Sequence, residues 1–194
     1  MLCCRHEDGY PADPKFQAGP YGTLAQCDIP PSVLFKMGEK INELKPDALF
    51  WTGDITPHDM WNQSLEHAIR YSDYLTDYMK ENLGDWSTYV IDGNHDYGVL
   101  LNSMDFREGR RDPIIDHQGV TWKQWFTDES MAEFLQNGFY SQPFKTTDGR
   151  VHDNVRVLAI NTEACYYYNL FLLAEMSDPG DQLAWLERTL HEMQ

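Results

Sequence analysis

The sequence predicts an α/β fold, with helices and strands alternating around a layered sheet. Three observations carry that expectation. Two short apolar runs, Ala48-Leu49-Phe50-Trp51-Thr52 and Thr88-Tyr89-Val90-Ile91-Asp92, read as buried strands. Each follows a helical stretch, and helix–strand–helix–strand order is the mark of a layered sheet. Each run also leads into a glycine and then polar side chains, Gly53-Asp54 and Gly93-Asn94-His95-Asp96. The chain has 194 residues, 42% hydrophobic and 13% aromatic, which suits one globular domain (1–194) with a sizeable core.

Taken in order, the first thirty residues read as irregular, with Gly19-Pro20-Tyr21-Gly22 a turn signal. Pro30-Pro31-Ser32 opens a helix with Leu34, Met37, Ile41 and Leu44 on one face, stopped by Pro46. The strand 48–52 follows. A second helix runs from about Ser64 to Leu83, with Leu65, Ile69, Leu75 and Met79 as its buried stripe and Gly84 as its stop, before the strand 88–92. Asn102 to Gln118 reads as a loop of mixed charge containing Arg107, Arg110 and Arg111, and short aromatic helical pieces follow around Trp122, Trp125 and Phe134. Phe139-Tyr140-Ser141 and 155–160 read as antiparallel strands of a hairpin through Asp148-Gly149. After Asp178-Pro179-Gly180-Asp181 comes a helix with Leu183, Leu186 and Leu190 facing inward. In this alternation it should feed another strand, so the end at Gln194 reads as truncation.

The formal charge of −16 argues against a nucleic-acid partner, because counterion-release binding needs a basic face. Thirty-one acids cannot all serve one site and read as an acidic surface. No apolar stretch is long enough to span a bilayer, and Met1 to His6 has no apolar core of a signal peptide. The cysteines leave two readings level. A Cys4–Cys27 disulfide would close a loop rich in proline and glycine and add about 3 kcal/mol by loop entropy. Four free thiols in a reducing cell fit as well. No CxxC occurs, which speaks against a zinc ribbon or a thioredoxin-like motif.

The strand ends carry the chemistry. Ligands of open α/β sheets gather beyond the carboxyl ends of the strands. A carboxylate, an amide oxygen and an imidazole delivered there suit a pair of divalent metals and a phosphate. The preceding glycines let the backbone turn sharply and approach an ion closely. Each residue also has a plainer reading. Asp54 could cap a helix, although Ile55-Thr56-Pro57-His58 is a poor helix start. Asn94 could be a left-handed turn residue, and His58 a solvated loop side chain. The pairing of Asp54 with Asn94 on neighbouring strand tips favours ligation for both, and gives His95 weight beside them.

Trp51-Thr52-Gly53-Asp54 with His58-Asp59-Met60-Trp61, then Gly93-Asn94-His95-Asp96, resembles the calcineurin-like metallophosphoesterase superfamily, and within it the acid sphingomyelinase-like phosphodiesterases. Leu2-Cys3-Cys4-Arg5, Ala18-Gly19-Pro20-Tyr21-Gly22, Cys27-Asp28-Ile29-Pro30, Gly138-Phe139-Tyr140 and the run from Asp178 to Leu186 resemble the same family in the same order, so the likeness covers nearly the whole chain. It implies a layered αββα sandwich, here incomplete at both ends. It implies two divalent ions, usually zinc, with Asp54 bridging them and Asn94 ligating the second. His95 would stand beside the phosphate, and His58 would protonate the leaving alcohol. It also implies disulfides, Cys4 with Cys27, Cys3 and Cys165 with cysteines absent here, and a secreted or lysosomal protein acting on a sphingolipid or other phosphodiester at a membrane surface. Asn62-Gln63-Ser64 is a glycosylation sequon compatible with that setting.

The family also carries an Asp-x-His motif before this region and a Gly-His-x-His motif after it, and neither is present. Two protein ligands are too few to hold a metal tightly, so zinc binding by this chain is expected to be weak or absent and turnover poor. The reaction the resemblance favours is hydrolysis of sphingomyelin to ceramide and phosphocholine. Relatives that cleave nucleotide phosphates share the GNHD turn and the tyrosine matching Tyr97, which makes a nucleotide substrate the first rival. A non-catalytic remnant is the second.

Overall fold

The computed structural model describes residues 9–24, 27–97, 103–107, 110–174 and 177–193. Leu2 to His6, with Cys3 and Cys4, and Asn102 lie outside the described residues.

The two strand tips arise as the sequence requires. Helix α1 (Pro31–Leu44) ends with Lys45 in the left-handed region, its N–H donating to the Ile41 carbonyl, immediately before Pro46. Strand β1 (Leu49–Trp51) follows. Helix α2 (Leu65–Asn82) starts at Ser64, whose hydroxyl accepts from the His67 N–H, and gives way to strand β2 (Thr88–Val90). β1 and β2 pair in parallel with Leu49 opposite Thr88, Phe50 opposite Tyr89 and Trp51 opposite Val90. Both strands therefore end at the same edge, where Asp54 and Asn94 follow. Helices α3 (Pro113–Thr121) and α4 (Asp128–Asn137) lead to the antiparallel pair β3 (Tyr140–Lys145) and β4 (Val151–Ala159), and α5 (Gln182–Glu192) comes last.

The strands form two small sheets, β1-β2 and β3-β4, within a mixed α/β architecture. Tyrosines join them in both directions. The Tyr140 hydroxyl accepts from the Val90 N–H at 3.1 Å, and the Tyr89 hydroxyl accepts from the Lys145 N–H at 2.6 Å. On the helical side an aromatic core fills the space: Trp51 lies 5.1 Å from Trp122 and edge-on to Trp125, and Phe126 packs on Phe134 and Tyr140.

Three expectations are corrected. In α1, Leu34 and Ile41 are half-buried but Met37 and Leu44 are exposed, because the helix meets α2 at Gly38, under the Tyr78 hydroxyl. In α2 the deepest residues are Ala68, Ser72, Thr76 and Met79, with the predicted Leu65, Ile69 and Leu75 half-buried; small side chains let α3 pack close. In α5 the inward residues are Gln182, Trp185 and Thr189, while Leu183 and Leu190 are exposed. Polar anchors rotate that helix: Gln182 bonds both backbone groups of Asn161, and the Trp185 indole N–H donates to Glu133. In addition, residues 113–118 of the expected loop are helical as part of α3, started by Asp112, which accepts from the Ile114 N–H, and by Pro113 at the first position.

The Trp122 indole N–H, fully buried, donates to the Thr76 hydroxyl at 2.9 Å. Thr76→Val keeps the volume and strands that donor, so chemical denaturation is expected to show a loss of about 1–3 kcal/mol.

Candidate active site

The β1 tip turns on Gly53 and Asp54, both left-handed, with φ of +72° and +68°. A side chain at Gly53 would collide with the Gly93 backbone N, and one at Gly93 would press on the Asp54 backbone. The two tips thus touch backbone to backbone, which only glycine permits. Asp54 itself adopts a conformation that costs a non-glycine residue energy, a feature concentrated at functional sites.

Asp96 fastens the tips together. It is buried, and its Oδ2 accepts from the N–H groups of Asp54 at 2.8 Å and Gly93 at 2.7 Å, while Oδ1 accepts from Ile55 at 2.7 Å. Burial pushes its carboxyl up to about 6, against the pull of those three donors. Behind it lies a buried polar layer. Asp92 accepts from Gln118 at 2.6 Å and from the Tyr97 hydroxyl, and Asn161 donates to that hydroxyl at 2.8 Å.

The four residues singled out in the sequence fall around this junction. The Asp54 carboxylate lies against Gly93 and is near enough to His95 to favour its protonation. Asn94 lies beside the Tyr166 hydroxyl, which also feels the Asp54 charge. The His95 ring is buried; its pKa is lowered chiefly by burial, which outweighs Asp54. The His58 ring is 4.4 Å from that of His95 and half-exposed. By donor type, a carboxylate and an amide oxygen suit a hard divalent cation. By number they are few: among the described residues no group of three or more His, Cys, Asp or Glu side chains could hold a metal ion.

Sequence reasoning missed Asp28, Asp96 and Tyr166 as residues of this site. Asp28 grips His58 through both oxygens, Oδ1 to Nδ1 at 2.6 Å and Oδ2 to the backbone N–H at 3.0 Å. Asp96 was visible as the last letter of GNHD, but nothing local reveals a carboxylate that binds backbone. Tyr166 begins Tyr166-Tyr167-Tyr168, whose last two rings lie 4.0 Å apart at a tilt of 38° and are exposed.

Residues 30–188 match the calcineurin-like phosphoesterase family. The chain belongs to that family. Within it, the chain is 29% identical to the sphingomyelin phosphodiesterase of Homo sapiens over 191 residues, 95% of this chain and 29% of that protein. It is 36% identical to the acid sphingomyelinase-like phosphodiesterase 3b of Mus musculus over 90% of this chain and 37% of the relative. It is 28% identical to the cyclic GMP-AMP phosphodiesterase SMPDL3A of Homo sapiens over 91% of this chain and 37% of the relative. The chain thus spans well under half the length of these relatives.

Asp96→Asn replaces one acceptor by an N–H₂ group facing backbone N–H donors, and is expected to cost about 2–3 kcal/mol in denaturant titrations. Glu163, also fully buried, finds no well-placed donor for either oxygen; burial raises it from 4.5 to about 8, the nearby Met104 N–H notwithstanding. Below about pH 4.5 it is protonated folded or unfolded. Between there and 8 the unfolded chain releases a proton that the folded chain keeps, so stability falls as pH rises. Asp112, raised to about 6 by burial, acts in the same direction. Melting temperature is therefore expected to drop from pH 5 to pH 8, and Glu163→Gln to flatten that slope.

Proposed function

We propose that this chain is part of the catalytic domain of a metal-dependent phosphodiesterase that hydrolyses sphingomyelin to ceramide and phosphocholine. The observation that carries the reading is the junction latched by Asp96, which gathers Asp54, Asn94, His95 and His58 at one edge of the parallel strands. In this reading Asp54 and Asn94 hold the metal ions, zinc by preference, as part of a shell that needs further donors. When bound, a divalent pair lowers the pKa of a water and offsets negative charge on the phosphoryl oxygens.

The chain's own residues do the rest. His95, dry and beside Asp54, steadies the phosphoryl oxygens. His58, open to solvent on one side, gives a proton to the departing alcohol oxygen as the ester P–O bond breaks. Water supplies the new P–O bond, so the products are an alcohol and a phosphomonoester. Substrate choice is supported on two counts. The sphingomyelin phosphodiesterase relatives favour a lipid, and the exposed Tyr167 and Tyr168 faces beside Tyr166 can hold a quaternary ammonium. Trp61, the exposed tryptophan three residues beyond His58, suits contact with a membrane surface.

A second reading, cleavage of a nucleotide phosphate, is favoured by the cyclic GMP-AMP phosphodiesterase relative and by the same tyrosines, which can stack on a base. Secretion or a lysosomal location goes with either. Cys27 is disulfide-bonded, with Cys4 our choice of partner, and Asn62 is exposed on a short turn where a glycan would be accommodated.

The full gene product, assayed with zinc against sphingomyelin and cyclic GMP-AMP, is expected to release phosphocholine. His58→Ala should lower kcat by about 10²–10⁴-fold. Turnover of cyclic GMP-AMP with none of sphingomyelin would move the reading to the second substrate. Calorimetry on the 194-residue chain is expected to show weak zinc binding at most, abolished by Asp54→Ala.

A further inference from the structure

Asp28 is the side chain at this site whose purpose the metal and phosphate chemistry leaves open. It sits one residue after the disulfide-bonded Cys27 and two before Pro30, the extended residue that caps the start of α1. A residue tied on both sides in this way has little freedom to drift. Both of its oxygens act on one partner thirty positions away. Oδ1 meets His58 Nδ1 at 2.6 Å, and Oδ2 accepts from the His58 backbone N–H at 3.0 Å. The first contact sets the ring and the second sets the loop that carries it.

A carboxylate can only accept, so the proton between Asp28 and His58 belongs to Nδ1. That leaves Nε2 as the nitrogen free to exchange a proton, and no group among the described residues claims it. The ring stands at 49° to that of His95, with their centres 4.4 Å apart. Without Asp28, a half-exposed histidine on an irregular segment would turn freely and favour the opposite tautomer, as a free histidine side chain does in water. Orientation of the second nitrogen by a hydrogen bond from the first is a general device for tuning histidine.

We infer that Asp28 is a positioning residue: it fixes the Nδ1–H tautomer and the ring plane of His58 so that Nε2 is presented to the substrate oxygen. The inference rests on the proposed role of His58 in phosphodiester hydrolysis, but the pairing can be read without any turnover.

Long-range ¹H–¹⁵N correlation spectra of the 194-residue chain report which nitrogen of neutral His58 bears the proton. The wild type is expected to show Nδ1–H, and Asp28→Asn and Asp28→Ala to show a mixture weighted to Nε2–H with a mobile ring. In the full gene product, Asp28→Asn is expected to lower kcat about tenfold or more at unchanged KM, and Asp28→Glu to restore part of it. Circular dichroism checks that each variant is folded; should Asp28→Ala not fold, the wild-type spectrum and Asp28→Asn decide. Nε2–H in the wild type, an unchanged tautomer in Asp28→Asn, or a shifted tautomer with kcat intact each overturns the inference. A pinned tautomer in a full product that hydrolyses no phosphodiester would instead sink the functional reading and leave the Asp28–His58 pairing standing.

Discussion

Three backbone N–H groups from two strand ends converge on one buried carboxylate, Asp96, and the rest of the site hangs from that convergence. Each N–H would otherwise lack a protein partner, because the turns at Gly53 and Gly93 leave ladder geometry. The carboxylate answers all three and holds the tips in backbone contact, closer than any side chain at 53 or 93 would allow. Asp54 and Asn94 owe their proximity to this latch as much as to the parallel pairing beneath it.

A second buried layer supports the latch. Gln118, Asp92, Tyr97, Asn161 and Gln182 form a chain of hydrogen bonds that runs from α3 through the β2 tip to the end of β4 and the start of α5. Such networks are rigid when fully satisfied, since each member's alternative is an unpaired polar group in a dry core. Within it Gln118 Oε1 finds no partner, and beside it the Glu163 carboxyl finds none for either oxygen, which agrees with burial raising it to about 8.

Much of this was legible from residues alone. The strands at 49–51 and 88–90, the helix start at Ser64, the helix stop before Pro46 and the hairpin through Gly149 follow from apolar runs and turn chemistry, and the motif letters lead to the strand tips. What stayed hidden depends on which neighbour a side chain finds. Leucine periodicity in α5 pointed to Leu183 and Leu190, yet Gln182 and Trp185 turn that face outward through bonds to Asn161 and Glu133. The helix at 113–121 was lost behind three arginines, although Asp112-Pro113 is a clear start signal. Asp28 and His58 are separated by thirty residues, and no local pattern foretells their meeting.

Asp54 carries a further implication. Its left-handed backbone is a conformation glycine would adopt more comfortably, so the chain keeps a carboxylate where relaxation would favour having none. Laboratory evolution that screens only for heat tolerance should therefore drift toward glycine at this position early. Robustness gained that way would come from losing the Asp54 carboxylate, and libraries built for durability need a functional screen alongside.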